Sequence, residues 1–245
     1  MKAPGARFRL RYLAVLIVLF AAAVIRSGIG AHDPHAWALE NVLVLGFALV
    51  LGASWKRFPL SLISYTLIFV FLCLHELGAH WTYAEVPYNE WTRALFGVSL
   101  NELLGLTRNH FDRAVHFLYG LLLAYPIREL FVRVADVRGF WSYFLPLDLT
   151  MSTSLLFELF EWAAAVIFGG DLGQAYLGTQ GDVWDSHKDM VLAALGALLA
   201  MLVVAWINSS HNRDFTKEFV ESLRVKRAPL GEVELARLKA RNAAP

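Results

Sequence analysis

Apolar residues gather along this chain into six runs, each near the length a helix needs to cross a bilayer, with short polar stretches between them. A helix spanning about 30 Å of hydrocarbon takes about 20 mostly apolar residues. The runs cover roughly residues 10–29, 36–54, 60–83, 112–134, 141–168 and 185–207. The pattern predicts an all-α polytopic membrane bundle. The two longest stretches outside the runs, 84–111 and the chain from 208 onward, are too short to fold as separate domains. Residues 1–207 therefore read as one six-helix membrane domain and 208–245 as a charged helical tail. Pro126 and Pro146 fall inside helical runs, where a missing N–H predicts a kink or a boundary. No repeat of fixed period and no low-complexity tract interrupts the pattern.

Composition agrees: 57% of the 245 residues are hydrophobic and only 18% charged, and the mean hydropathy is +0.49. A soluble domain needs more polar surface than this. A formal net charge of +1 gives no nucleic-acid footprint, so charge informs only loop by loop. Basic residues collect in loops of one parity: Lys2, Arg7, Arg9 and Arg11; Lys56 and Arg57; Arg128, Arg133 and Arg138; and, in the tail, Arg213, Lys217, Arg224, Lys226 and Arg227 among others. The other loops are poor in Lys and Arg. The positive-inside rule then puts both termini in the cytoplasm. The basic start before Tyr12 to Ile25 also fits a secretory signal peptide, but no clean small-x-small cleavage site precedes His32, and Arg26 and Ser27 readily extend the run, which favours a retained first span. The single cysteine, Cys73, lies in an apolar run and reads as a small core residue.

The ionisable residues do not scatter. His75, Glu76 and His80 end the third run in HELGAHWTY; Asp112, Arg113 and His116 open the fourth in NHFDRAVHF; Glu158 and Glu161 sit in the last turns of the fifth; and Asp182, Asp185, His187 and Asp189 introduce the sixth. All fall at the same end of the bundle, the extracytoplasmic end on the charge rule. Residues three or four apart share a helix face, so Glu76 with His80, Asp112 with His116, and Glu158 with Glu161 form polar stripes. Carboxylates and imidazoles so spaced on facing helices hold metals in bundles, and mixed oxygen and nitrogen ligands suit zinc, manganese or iron. The candidate ligands are His75, Glu76, His80, His116, Glu158, Asp185 and Asp189, with Glu161, Asp182 and Asp112 as candidate catalytic carboxylates. HELGAH is not the zinc-protease motif, because its second histidine comes one residue too late to share a face with the first.

Plainer readings stand beside these. Asp112 with Arg113, or Asp182 with Lys188, fits an interfacial ion pair that only marks a span end. Trp81, Tyr83, Trp91, Trp141, Trp162 and Trp184 fit an interface belt; Tyr119 and Tyr125 fit packing positions, and His32, His35 and His211 lie outside the cluster. The glycine-rich stretches 169–173, which contains Asp171 and Leu172, and 177–182 permit sharp turns and a lip over the site, and neither matches a phosphate loop. Ala193, Ala194, Gly196, Ala197 and Ala200 form a small-residue run suited to close helix packing, within one chain or between two.

The stretches HELGAHWTYAEVPY, RNHFDRAVHFLYG, FELFEW and LGTQGDVWDSHKDM together resemble an uncharacterised bacterial inner-membrane family typified by YjdF, over about residues 12 to 207. A more distant likeness, in Asp112-x3-His116, Glu158-x2-Glu161 and Asp182 to Asp189, is to VanZ-like membrane proteins. The resemblance implies a multi-pass protein of the inner membrane and no established activity. One departure is His187-Lys188, where the family pattern implies Gln-Trp, so those two positions are poor candidates for essential chemistry. Three functions follow from the residues: a metal-dependent membrane hydrolase or transferase acting on a lipid-linked or envelope substrate, a proton- or ion-coupled transporter, and a non-catalytic envelope protein whose polar cluster joins its helices. Oligomeric state is not legible, and beyond the lipid bilayer no partner, nucleic acid included, is implied.

Overall fold

Six helices long and apolar enough to cross a membrane form the body of the protein. The computed structural model describes residues 5–170, 173, 177–211, 214–224 and 230–242; Lys2, Asp171, Leu172, Arg213, Lys226 and Arg227 lie outside them. Among the described residues there is no strand, and the helices are α1 (Ala6–Gly28), α2 (Pro34–Ser54), α3 (Leu62–His80), α4 (Tyr88–Phe96), α5 (Leu100–Leu104), α6 (Phe111–Val134), α7 (Trp141–Phe168), α8 (Asp185–His211), α9 (Phe215–Ser222) and α10 (Leu230–Asn242). The spans are α1, α2, α3, α6, α7 and α8. Their outer faces expose Ile17, Val42, Leu49, Ile63, Leu156 and Leu202, as a surface in contact with lipid should.

Local chemistry sets the helix starts. Asp33 caps α2 by accepting from the backbone N–H groups of His35 and Ala36, with Pro34 in the first helical position. Ser61 caps α3 by accepting from Ser64 N–H at 3.1 Å. Glu129 of α6 reinforces the same terminus, taking hydrogen bonds from Ser61 N–H at 2.9 Å and Ser64 Oγ at 2.5 Å, and Arg133 neutralises it at 2.6 Å. An acid deep in an apolar sequence is thus fully used in tying α3 to α6.

The most extensive helix pair is α6 with α8. A Cβ added to Gly120 would lie 1.9 Å from the Ala193 carbonyl oxygen, and one added to Gly196 would lie 2.0 Å from that of Phe117. Only hydrogen fits at either place, so the two backbones touch. Ala124, Ala193 and Ala197 are fully buried along the contact, followed by Ala200 and Met201. Without a hydrophobic drive inside lipid, close backbone approach at small residues is what holds helices together. The small-residue run is therefore used within the chain. Leu147 and Tyr143 of α7 pack on this seam. A second apolar layer, Leu60, Ile68 and Leu72 against Phe47, Leu51 and Phe71, joins α2, α3 and the adjoining loop.

Two expectations change. Residues 84–111 are not simply a loop: they hold α4 and α5, the latter opened by a capping box between Ser99 and Glu102. These helices are too short for a span pattern to reveal. Of the kink or boundary expected at Pro126 and Pro146, the boundary does not occur, because α6 and α7 run on through them. Gly120→Ala and Gly196→Ala are expected to destabilise the detergent-solubilised protein by about 1–3 kcal/mol each, whereas Gly46→Ala, whose added Cβ meets open space, should leave the melting temperature unchanged. Thermal melts monitored by circular dichroism check this, and equal melts for all three would mean a looser seam.

Candidate functional site

One turn along α6 from Gly120 lies His116, and one turn along α8 from Ala193 lies Asp189. Glycine and alanine contact thus brings a polar pair together at the end of the bundle where α3 and α7 finish and α6 and α8 begin. Asp112, His116 and Asp189 each present a ligand atom there, all within 4.8 Å of one another. Glu158 of α7 completes the group, its Oε1 standing 3.6 Å from His116 Nε2, the same distance that separates this nitrogen from Asp112 Oδ1. His116, Glu158 and Asp189 are buried. Glu158 Oε1 and Asp189 Oδ1 have no hydrogen-bond partner among the described residues. Buried, unpaired carboxylate oxygens are costly, and a bound proton or cation is the ordinary way they are satisfied.

An outer ring of charge closes over this group. Arg108 grips Asp185 with two hydrogen bonds, of 2.7 and 3.0 Å, and donates to the Thr179 carbonyl at 3.0 Å. Arg113 donates to Asp182 at 2.6 Å and to Asp185 at 2.8 Å, while Lys188 pairs with Asp182 from the solvent side. Asp182 is held well below the ordinary aspartate range, first by Lys188, then by the Trp184 backbone N–H and Arg113. Burial, with Arg113 and Arg108 beside it, holds His110 below the ordinary histidine value. Asn109 and Gln180 exchange backbone and side-chain hydrogen bonds at 3.0 and 3.1 Å, which fixes the LGTQGD stretch against the start of α6. Leu177 and Gly178 of that stretch then wall the site.

A second buried group lies across a cavity of ≈ 10 Å³ lined by Glu40, Asp112, Glu161, Thr82, Tyr83 and Gly178. Glu40 of α2 and His75 of α3 face one another, Oε2 to Nε2 at 3.9 Å. Neither atom has a hydrogen-bond partner among the described residues. The other nitrogen of His75 bonds Tyr83 OH at 2.5 Å. Tyr83 reaches it from a left-handed backbone, φ 54°, directly after Thr82 at φ 51°. Its ring lies where a Cβ on Gly78 would be, 2.5 Å away, so Gly78 is the seat that lets this turn close. Glu76 points elsewhere, accepting from Ser27 Oγ, to which the Trp37 indole also donates at 3.0 Å.

A family model described as "Predicted membrane protein (DUF2238)" matches residues 12–210. The chain belongs to the DUF2238 family. A curated relative, "Inner membrane protein YjdF" of Escherichia coli (strain K12), is 38% identical over 193 residues, which covers 78% of this chain and 88% of that one. No solved structure matches. These findings support the family and lend nothing to the VanZ-like likeness.

In this DUF2238 chain the sequence candidates divide into three sets. Asp112, His116, Glu158 and Asp189 come together, while Glu161 shares the cavity with Asp112 and Glu40 and His75 faces Glu40. Asp182 and Asp185 are occupied by guanidinium groups, so Asp112, not Asp182, is the acid left facing inward. Glu76 and His80 are turned to α1, His80 Nδ1 meeting the Ser27 carbonyl at 2.6 Å. Sequence reading missed Glu40, although a lone acid in the apolar run 36–54 is the signal that marks such a residue. It also missed Arg108 as the clamp on Asp185. Removing that clamp in Arg108→Gln leaves a buried carboxylate underpaired and should cost roughly 3 kcal/mol, read from thermal melts. Because Asp182's pKa is depressed on folding, its contribution is complete above its unfolded value of 3.8 and is lost only as pH falls further. Acid unfolding of Lys188→Met should therefore begin at higher pH than in wild type, and coincident acid titrations would refute that role.

Proposed function

We propose that this integral inner-membrane protein is a metal-dependent enzyme, a hydrolase or transferase, holding a divalent cation between α6, α7 and α8 on Asp112, His116, Glu158 and Asp189. The observation that carries the reading is the pair of buried carboxylate oxygens, on Glu158 and Asp189, left without a partner among the described residues beside a buried imidazole. Ligands of a tetrahedral site lie about 3.3 Å apart for bonds of 2.0–2.1 Å, so a spread of 4.8 Å closes with small side-chain rotations. One imidazole with several carboxylates suits zinc, manganese or iron. Such an ion supplies Lewis acidity and an activated water at neutral pH. Glu161, on the cavity wall, is then the proton acceptor, and the Arg108 and Arg113 clamp keeps Asp182 and Asp185 from competing for the ion.

The charge of the connecting loops orients the site to the outside of the membrane, where lipid-linked and envelope substrates are found. A carrier is the second reading, favoured by Glu40, Asp112 and Glu161 sharing one cavity. Beneath them, however, the α6–α8 seam and the Leu60, Ile68 and Leu72 layer are packed apolar material, a poor path for an ion. Elemental analysis of the purified full chain is the test. Wild type should carry at least one metal per chain, and His116→Ala and Asp189→Asn should each lose one equivalent at matched folded yield. Well-folded wild type that stays metal-free after incubation with zinc, manganese and iron overturns the reading. With metal established, products formed from envelope lipid extract by wild type and not by His116→Ala favour the enzyme over the carrier.

A further inference from the structure

We infer that Glu40 and His75, with Glu161 and Asp112 across the cavity, form a second cation position, so that the site takes two divalent ions side by side. The inference rests on the single-ion reading above for its neighbour, but on different residues for its ligands.

Two observations independent of the acidic cluster point to a ligand. Glu40 and His75 are 5% and 7% exposed, and the atoms they turn toward one another have no hydrogen-bond partner among the described residues. At 3.9 Å these atoms are too far apart to bond each other, and a small rotation of either side chain brings them to the about 3.3–3.6 Å that separates two ligands on one ion with bonds of about 2.0–2.2 Å. The second observation is how His75 is held. Tyr83 OH engages its Nδ1, which fixes the ring and leaves Nε2 facing the Glu40 carboxylate. Metal-binding histidines are oriented through their far nitrogen in this way. The left-handed turn at Thr82 and Tyr83, closed on Gly78, is the kind of strain that persists where surrounding structure imposes it.

Charge argues the same way. Glu40, Asp112 and Glu161 line one small cavity, where carboxylates repel one another unless a proton or cation sits among them. Arg108 and Arg113 are committed to Asp182 and Asp185. A cation at His116 has no contact with Glu40 or His75 among the described residues, and a second one between Glu40 and His75 would occupy the atoms left unpartnered there. Asp112, which belongs to the first ligand group and also lines the cavity, is the residue placed to bridge the two.

The test is metal content and metal coupling in the full-length, detergent-purified chain loaded with manganese alone. Wild type should hold two ions per chain and give the exchange-broadened electron paramagnetic resonance spectrum of adjacent Mn(II) ions. Glu40→Gln and His75→Gln should each halve the content and restore the six-line spectrum of an isolated ion. His116→Ala should also lose one ion, from the other position. Glu40→Gln keeps the side chain's size and is expected to melt near wild type in chelator, with a smaller gain on adding manganese; if it does not fold, His75→Gln and the wild-type spectrum decide. One ion in wild type, unaltered in Glu40→Gln and lost in His116→Ala, overturns the second position and leaves the single-ion reading standing. Two ions that both persist in Glu40→Gln and His75→Gln also overturn it. No ion in folded wild type overturns both.

Discussion

Everything at the polar end of this protein depends on how closely α6 and α8 approach. Gly120 and Gly196 each lie against a backbone carbonyl of the opposite helix, and that contact sets both the separation and the rotation of the pair. His116 and Asp112 stand one and two turns beyond Gly120, and Asp189 and Asp185 stand similarly beyond Ala193. A methyl group in the seam would push apart side chains that need to meet within a few ångströms. The seam is thus both the core of the fold and the ruler of the site.

The same end carries charge that a bilayer protein tolerates only when it is paired or ligated. The protein deals with it in two tiers. Asp182 and Asp185 are satisfied from within the chain by Arg108, Arg113 and Lys188. Glu40, Asp112, Glu158, Glu161 and Asp189 are gathered beneath that tier, where the two arginines already have their acids. Glu129 shows the contrast: equally embedded in an apolar run, it is consumed by Ser61, Ser64 and Arg133.

Much of this was legible in the sequence, for physical reasons. Six spans follow from hydrophobic length alone, and acids and imidazoles at one end follow from where those runs start and stop. Helical spacing put Asp112 and His116 on one face of their helix and Glu158 with Glu161 on one face of theirs. What spacing could not supply was pairing between helices. Nothing local distinguishes Asp185, gripped by Arg108 from a loop 77 residues away, from Asp189 one turn on. Nor does local pattern tell that His75 turns inward while His80 turns to the Ser27 carbonyl. Glu40 went unread because it stands alone in its helix, and its companions arrive only from α3, α6 and α7. The short helices α4 and α5 escaped because neither is long or apolar enough to register as a span, although a capping box opens α5.

The packed apolar layers beneath the cluster have one more consequence. Because the polar groups lie at the very start of α6 and α8 and the seam below them is closed, anything that binds there enters and leaves by one face. It crosses only a small fraction of the transmembrane field. A charge that traverses the whole field exchanges about 2.3 kcal/mol with it per 100 mV; a charge that stops at this depth exchanges little. A ligand held there would answer to the composition of a single aqueous compartment and be nearly indifferent to the membrane's state of energisation.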